Sequence, residues 1–408
     1  LGRRSVFEIG SITKTFTAAL LADMVARGEM ALDDPVQKYL PEGVTMPRWE
    51  GREITLMDLS THHSGLPRMP DNFDPANPAN PYADYTADRL YEFLSGHELR
   101  REPGSEYEYS NLAVGLLGHV LERASGKTYE ALVRERILEP LGMTTTGITL
   151  QGELADWMTK GHNDAGEVVP YWDAVALVGA GGLRSNAEDM LRYLGAQIGP
   201  PDSAIERAMR MTHEPRVERG DGAANALGWG IRELGDRRIL MHGGGTAGYS
   251  TMVGFDPDLG VGVVLLTNTG DFDDDIASDF LRRGAPIATA TVEVPRPVLE
   301  SYVGMYGPDP SRAMAVRLED EGWLTLQAPG NVRFRMYADS DTSFYVRRTP
   351  WRFVFRIDEE GRVTAVDADL EGRRRTMPRL DADMPVPRVL AGNPITTDLP
   401  PITVEELA

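Results

Sequence analysis

The amino-acid sequence predicts a mixed α/β (α+β) fold, in which helices flank an antiparallel sheet and a small antiparallel β-barrel follows towards the C-terminus. Three observations lead to this prediction. Helix-like segments dominate the first part of the chain. Short strand-like runs separated by turn residues occupy about residues 227–268, and from about residue 302 apolar residues alternate with polar ones.

The first helix is predicted from Ile12 to Ala26, where the sequence is apolar on nearly all sides and ends before Gly28. Two further helices are predicted over residues 111–124 and 129–138. Residues 66–85 are rich in Pro, Asn and Asp, which predicts an irregular surface loop. A loop of this length in a compact domain is often functional.

Four runs predict the antiparallel sheet: LGWGIREL, RRILMHGGG, YSTMVGFDP and GVGVVLLTN. In the barrel region, Phe353, Phe355 and Ile357 alternate with other residues, and Glu360-Gly361 supplies a hairpin turn. We therefore expect a first domain over residues 1–285, a Pro-containing linker over 286–298, the barrel over 299–381 and an irregular tail over 382–408.

Composition excludes several classes of function. With 408 residues, 41% of them apolar, the chain can bury a large core, and its net charge of −20 would repel nucleic acid. No run of about 18 apolar residues is present, so no membrane span is expected. The absence of cysteine excludes disulfides, thiolate metal sites and a cysteine nucleophile, but it leaves the cellular compartment open.

The start of the first helix contains an unusual pair, Ser11 and Lys14. Serine is a favoured helix N-cap, but a lysine in the first turn opposes the helix dipole. Only four lysines occur among 42 basic residues, so this one is informative. Burial can lower the pKa of a lysine by several units, which would make Lys14 a neutral amine able to take the proton of Ser11.

Two further segments strengthen this interpretation: Tyr109-Ser110-Asn111 before a helix, and His242-Gly243-Gly244-Gly245 at a strand end. In this order the three segments resemble the Ser-x-x-Lys, Tyr-x-Asn and Lys/His-x-Gly motifs of the penicillin-binding-protein and class C β-lactamase-like serine hydrolases. The resemblance covers most of residues 1–270 and implies that family's fold. The barrel is similar to the lipocalin-like domain that some members carry.

The resemblance implies a role for each matching residue. Ser11 would be the nucleophile and Lys14 its base partner, whereas Tyr109 would be a second base whose pKa Lys14 holds low. Asn111 would hold both Lys14 and the amide of the substrate. The backbone N–H groups of Ser11 and Gly245 would form the oxyanion hole, beside Gly244.

The family's third motif usually begins Lys-Thr-Gly, which grips a substrate carboxylate. Here His242, mostly neutral near pH 7, and Gly243 occupy those positions. We therefore expect penicillins to be poor substrates, and esters, amides or thioesters without that carboxylate to fit better. His242 could instead donate a hydrogen bond near the leaving group. Family members with His there include D-aminopeptidases, esterases and thioesterases that cyclise nonribosomal peptides.

Other motifs carry weaker signals. His63-Ser64-Gly65 also fits His-x-Gly, but it lies in a loop and is interpreted as structural. Adjacent His62 and His63 lack the spacing of a zinc site, so neither a metal nor a cofactor is expected. The HGGG run resembles a lipase oxyanion loop, yet no Gly-x-Ser-x-Gly elbow occurs.

Three functions remain open: hydrolysis through an acyl-enzyme on Ser11, transfer of the same acyl group to an amine as in peptide cyclisation, and non-catalytic binding of a cell-wall component or another ligand. The expected partner is a small-molecule or peptide substrate, and the oligomeric state is open. The Arg-rich, Lys-poor composition suits a GC-rich bacterial genome. Only ten residues precede Ser11, so the N-terminal helix and strands of the family are expected either to be absent from this sequence or to come from another part or another chain. The chain could be cytoplasmic or exported.

Overall fold

The computed structural model describes residues 1–2, 4–149, 151, 153–163, 166–220, 223–234, 237–269, 281, 292, 294–309, 313–319, 322–327, 334–346, 351–370 and 373–380. The chain divides into two compact units, Leu1–Gly284 and Ala285–Ala408. The predicted tail and most of the first half of the predicted linker lie outside the described residues.

The described residues of unit one include nine α-helices between Thr13 and Met209. They are α1 (Thr13–Ala26), α2 (Leu56–Ser60), α3 (Ala87–Gly96), α4 (Asn111–Ser125), α5 (Tyr129–Val133), α6 (Glu139–Leu141), α7 (Glu153–Asp156), α8 (Ala187–Ile198) and α9 (Ala204–Met209). The predicted helix over 129–138 begins as α5 and continues as a π-helical turn, Arg134–Leu138, which leads into α6. Further single turns are 3₁₀ helices at Gly10–Ile12, Val36–Tyr39, Val178–Ala180 and Arg210–His213.

Helix α1 is the centre of unit one, because every residue from Thr13 to Met24 is buried. It packs against α4, α5 and α9, and the Phe16 ring stacks on Tyr193 of α8 with ring centroids 4.0 Å apart. The hydroxyl of Thr17 donates to the carbonyl of Gly179 at 2.7 Å. This bond fixes the 3₁₀ turn Val178–Ala180 against α1, one helical turn beyond Lys14.

The main sheet of unit one has six antiparallel strands in the order β12-β11-β10-β9-β8-β7. They are β7 (Val217–Gly220), β8 (Ala223–Asn225), β9 (Gly230–Leu234), β10 (Arg237–Gly245), β11 (Ser250–Asp256) and β12 (Val261–Thr267). Helix α8 covers β11 and β12. The sequence therefore predicted β9–β12 and missed β7 and β8, which are short and contain only one β-branched residue.

Three small strand pairs complete unit one: β1 (Phe7–Glu8) with β6 (Arg184–Ser185), β2 (Arg48–Trp49) with β3 (Arg52–Glu53), and β4 (Gly161–His162) with β5 (Val168–Val169). The first pair anchors the residues immediately before the Ser11 turn. Residues 66–85 contain no helix or strand, as the sequence predicted.

Unit two is a nearly closed antiparallel barrel of eight strands in sequence order. The strands are β13 (Gly304–Tyr306), β14 (Met314–Leu318), β15 (Leu324–Gln327), β16 (Phe334–Ala338), β17 (Ser343–Val346), β18 (Arg352–Ile357), β19 (Val363–Leu370) and β20 (Arg373–Pro378). The N–H of Gly307 donates to the carbonyl of Pro378 at 3.0 Å, and the N–H of Leu380 donates to Met305 at 2.9 Å. These bonds join the first and last strands.

Two features of unit two depart from the simple sequence pattern. Phe353 and Phe355 are buried, but Ile357 is 44% exposed, because a bulge between Arg356 and Ile357 shifts the alternation by one residue. A helix, Arg296–Tyr302, begins inside the predicted linker. Its proline lies in the first turn, where a missing N–H breaks no helical hydrogen bond.

Candidate active site

Ser11 and Lys14 lie together at the start of α1. Ser11 belongs to the 3₁₀ turn Gly10–Ile12, which leads directly into the helix, and its side chain caps no helix N–H. The Lys14 Nζ atom lies 2.9 Å from Ser11 Oγ and 2.7 Å from the carbonyl oxygen of Ala180. The amine is therefore held between a hydroxyl and a carbonyl.

The electrostatic surroundings of Lys14 disfavour a positive charge. The residue is 0% exposed, and burial, reinforced by the nearby cation of Arg68, lowers the pKa of Lys14 well below its ordinary value. No carboxylate contacts this amine among the described residues. A neutral amine in this position has a lone pair that can accept the proton of the Ser11 hydroxyl.

Tyr109 lies beside this pair, with its ring centroid 5.0 Å from Lys14 Nζ. Burial raises the pKa of Tyr109 to about 12, although its hydrogen bond with Ser11 and the charge of Arg68 act in the opposite direction. The expectation of a low pKa for Tyr109 was wrong, because the effect of burial outweighs the two effects that lower it. Near pH 7 the phenol keeps its proton and can donate it.

Asn111 begins α4, and Ser110 before it caps the helix by accepting from the N–H of Ala113 at 2.9 Å. The Asn111 side-chain amide contacts the Tyr82 hydroxyl at 3.3 Å. The expectation that Asn111 holds Lys14 was therefore wrong in this structure, because the carbonyl of Ala180 makes that contact instead. The amide of Asn111 remains in the pocket wall.

The strand that carries the third motif is pressed against the Ser11 turn. A Cβ on Gly244 would lie 2.1 Å from the carbonyl oxygen of Ile9, so only glycine fits there. Gly10 has φ +50°, and a Cβ on it would lie 2.8 Å from the backbone nitrogen of Gly245. The backbones of Gly244 and Gly245 thus lie beside the segment that presents Ser11.

His242 is neutral near pH 7, because burial and the proximity of Lys14 lower its pKa to about 4. Its Nδ1 lies 2.6 Å from the carbonyl oxygen of Gly243, which can only accept. Nδ1 therefore carries the proton, and Nε2 is an acceptor. The expectation that His242 donates a hydrogen bond near the leaving group is wrong for this tautomer.

A cavity of about 540 Å³ joins these groups. Its described lining comprises Gly10, Ser11, Arg68, Tyr82, Tyr109, Asn111, Trp172, Ala174, Leu177, Ala180, Gly181, His242, Gly243, Gly244, Gly245, Thr246 and Thr251. The members that were not identified from the sequence include Arg68, Tyr82, Trp172 and Thr251. The first two belong to the loop over 66–85, whose length and composition did indicate function, whereas no sequence signal distinguished the other two.

Both adjacent histidines hold backbone groups. His63 Nδ1 donates to the carbonyl of Thr61 at 2.7 Å, and His62 Nδ1 accepts from the N–H of Ser110 at 3.1 Å. The ring of His62 also packs on Tyr109, 4.5 Å between centroids. These contacts give both side chains a structural role. In the part of the chain that the structure describes, no group of three or more His, Asp or Glu residues could hold a metal ion.

Comparisons with known proteins identify relatives of this chain. Residues 1–285 match the family model described as Beta-lactamase. The D-alanyl-D-alanine-carboxypeptidase/endopeptidase AmpH of Escherichia coli (strain K12) is 31% identical over 276 residues, which cover 64% of this chain and 70% of that protein. A β-lactamase of the same strain is 26% identical over 302 residues, covering 65% and 76%.

Among solved structures, a β-lactamase/D-alanine carboxypeptidase from Yersinia pestis has a TM-score of 0.61 and 28% identity, and the similarity covers 69% of this chain and 84% of that one. None of the described helices has the length and hydropathy needed to cross a membrane. The family match and the structural likeness together identify the protein as a serine hydrolase that belongs to the Beta-lactamase family.

Proposed function

We propose that the protein forms an acyl-enzyme on Ser11 and cleaves ester or amide bonds, acting on D-residue peptides or small esters and poorly on β-lactams. The observation that carries this proposal is the 2.9 Å distance between Ser11 Oγ and a fully buried Lys14 amine. A hydroxyl has little nucleophilicity until a base removes its proton, and this amine is the base within reach.

In the acylation step, Ser11 Oγ attacks the carbonyl carbon of the substrate while its proton moves to Lys14 Nζ. The carbonyl of Ala180 holds the amine, so that the lone pair faces Ser11. The negative charge that develops on the substrate oxygen is stabilised by the backbone N–H groups of Ser11 and Gly245. Loss of one such donor typically lowers the rate about 10²–10³-fold.

Collapse of this intermediate expels the leaving group, which needs a proton. Tyr109 supplies it, because a pKa of about 12 keeps the phenol protonated near neutrality. The proton on Lys14 then moves to Tyr109, which regenerates the neutral phenol and the neutral amine. In deacylation a water molecule gives its proton to Lys14 and attacks the carbonyl carbon of the Ser11 ester. The bond between this carbon and Ser11 Oγ then breaks, the acid leaves, and the proton on Lys14 passes to Oγ, which regenerates the free hydroxyl and the neutral amine.

The third motif supports the choice of substrate. β10 presents a neutral histidine and two glycines where a cation and a hydroxyl would be needed to grip a carboxylate. A carboxylate on a β-lactam substrate would therefore lack this binding group here. A D-configured residue at the scissile bond is favoured because the AmpH relative is named a D-alanyl-D-alanine carboxypeptidase/endopeptidase.

A direct test compares three substrates with the purified chain: p-nitrophenyl esters of D-alanine and L-alanine, and a chromogenic cephalosporin. We expect kcat/KM for the D-ester to exceed that for the L-ester by at least about tenfold, and the cephalosporin to be the poorest substrate. Ser11→Ala serves as the blank for spontaneous hydrolysis. Faster turnover of the L-ester, or of the cephalosporin, would contradict the proposed specificity.

A further inference from the structure

Arg68 is an exposed cation in the wall of the catalytic cavity. None of the described residues that line this cavity is Asp or Glu. No ion pair joins Arg68 to a carboxylate in the parts of the chain that the structure describes. Eleven other arginines among the described residues of this unit pair with Asp or Glu.

The other basic groups of the cavity do not share this charge. Burial lowers the pKa of Lys14 well below its ordinary value, which disfavours its cationic form, and His242 is neutral near pH 7 because its pKa is about 4. Among the described lining residues Arg68 therefore supplies the only formal charge near pH 7. The field inside the cavity is positive, although the net charge of the chain is −20.

Arg68 is also fixed in position. Its carbonyl accepts from the backbone N–H groups of Asn111 and Leu112, at 3.0 and 3.2 Å, which ties it to the start of α4. Its guanidinium carbon lies 5.1 Å from the ring centroid of Tyr109. A guanidinium stacked on an aromatic ring still presents its N–H edge to a ligand.

Two hydrogen-bonding groups accompany this cation. The amide of Asn111 and the hydroxyl of Tyr82 contact each other at 3.3 Å, and both line the same cavity. Guanidinium groups bind carboxylates by paired N–H bonds, and neighbouring amide and hydroxyl donors add to such a site. The wall made by Arg68, Tyr82 and Asn111 thus has the chemistry of an anion-binding site, distinct from the strand that carries His242.

We propose that Arg68, Tyr82 and Asn111 form a subsite for a carboxylate on the acyl part of the substrate. This inference rests on the proposed function, in which Asn111 is expected to hold the amide of the substrate that acylates Ser11. The enzyme would then prefer an acyl donor that carries a carboxylate. This preference is separate from the third motif on β10, which has no cation to bind a carboxylate on the leaving group.

The test uses two esters that differ only in charge: the p-nitrophenyl monoester of adipic acid and its methyl-capped analogue. Both acyl groups are achiral, so the comparison does not depend on stereospecificity. The quantity measured is the ratio of kcat/KM for the charged ester to kcat/KM for the capped ester. We expect this ratio to fall at least about tenfold in Arg68→Gln, equivalent to about 1.4 kcal/mol, and to recover in part in Arg68→Lys.

Arg123→Gln is the matched control, because it removes an equal charge from an exposed site on α4. That variant should leave the ratio unchanged. An unchanged ratio in Arg68→Gln, with both esters slowed equally, would overturn the subsite and show that Arg68 acts only through Lys14 and Tyr109. If the unmodified protein forms no acyl-Ser11 from either ester, the proposed function fails, and the subsite fails with it.

Discussion

Lys14 Nζ lies 2.9 Å from Ser11 Oγ, although a lysine in the first turn of a helix is unfavourable for helix stability. Burial adds to this cost, since the side chain is 0% exposed. Lys14 destabilises its own helix and contacts the hydroxyl of Ser11, which indicates that the residue has a catalytic role. Local rules of folding are broken most often at functional sites.

Replacing Lys14 separates the effect on catalysis from the effect on stability. Lys14→Met shortens the side chain by one atom and removes the amine, so kcat should fall by at least about 10³-fold. Because Met carries no polar group into the core, the melting temperature should stay equal or rise. Steady-state kinetics and calorimetry measure the two effects.

The exposed Lys38, paired with Asp34, provides the control for this experiment. Lys38→Met should change neither turnover nor the pH profile. Activity of Lys14→Met within tenfold of the unmodified protein would show that another group deprotonates Ser11.

The pH dependence of kcat/KM should reflect the lowered pKa of Lys14. An ordinary lysine base would make the rate rise tenfold per pH unit up to about pH 10.4. Because burial lowers the pKa of Lys14 well below that value, we expect a plateau above neutral pH instead. A log-linear rise from pH 7 to pH 10, measured with an ester stable over that range, would contradict this assignment.

Tyr109 is expected to act as a proton donor. Tyr109→Phe removes the hydroxyl with little change in shape, and the rate should fall about 10²–10⁴-fold, as for loss of a general acid. The loss should be smaller for p-nitrophenyl esters than for amides, because p-nitrophenolate leaves without protonation. Equal losses for both substrates would indicate that Tyr109 assists the attack by Ser11 instead.

Gly244 and Gly245 offer a matched pair of substitutions. Gly244→Ala would bring a methyl group within 2.1 Å of the Ile9 carbonyl, so the Ser11 turn or the strand must move. We expect reduced activity and a lower melting temperature. Gly245→Ala meets nothing within 4 Å and changes only a side chain, so its stability should remain near that of the unmodified protein. Equal melting temperatures for the two variants would refute the close contact.

His213 should make stability depend on pH. Burial lowers its pKa to about 4, while the unfolded chain has the ordinary value near 6.5. The folded state therefore binds fewer protons between these values, so the contribution of His213 is complete above pH 6.5 and is lost as pH falls towards 4. The loss reaches at most about 1.4 kcal/mol per pH unit.

His213→Asn should flatten this dependence, as urea unfolding at pH 7, 5.5 and 4.5 would show. Other buried histidines, including His62, contribute to the total, so the informative quantity is the difference between variant and unmodified protein. An identical pH dependence in both would contradict the account of His213.

The sequence predicted the central helix and four of the six strands of the main sheet because their hydrophobic patterns are long and local. It missed β7 and β8, since strands of three or four residues carry too little pattern. The exposure of Ile357 could not be predicted, because a bulge cannot be read from alternation. Local sequence patterns therefore predicted the long helices and strands, whereas the short strands and the bulge depend on contacts between strands.

The candidate site shows the same division. Ser11 and Lys14 could be paired from helical spacing alone, three residues apart on one face. The contact of Lys14 with Ala180 could not, because it joins residues 166 positions apart. The expected role of Asn111 and the expected low pKa of Tyr109 failed for that reason, since both depended on a charge and a partner that only the folded environment determines.

Intact-protein mass spectrometry over time, after mixing with the p-nitrophenyl ester of D-alanine, tests the central claim most directly. We predict a transient mass increase equal to the acyl group, which proteolysis maps to Ser11 and which is absent in Ser11→Ala. Turnover by Ser11→Ala at the rate of the unmodified protein, or an adduct on any other residue, would contradict the account.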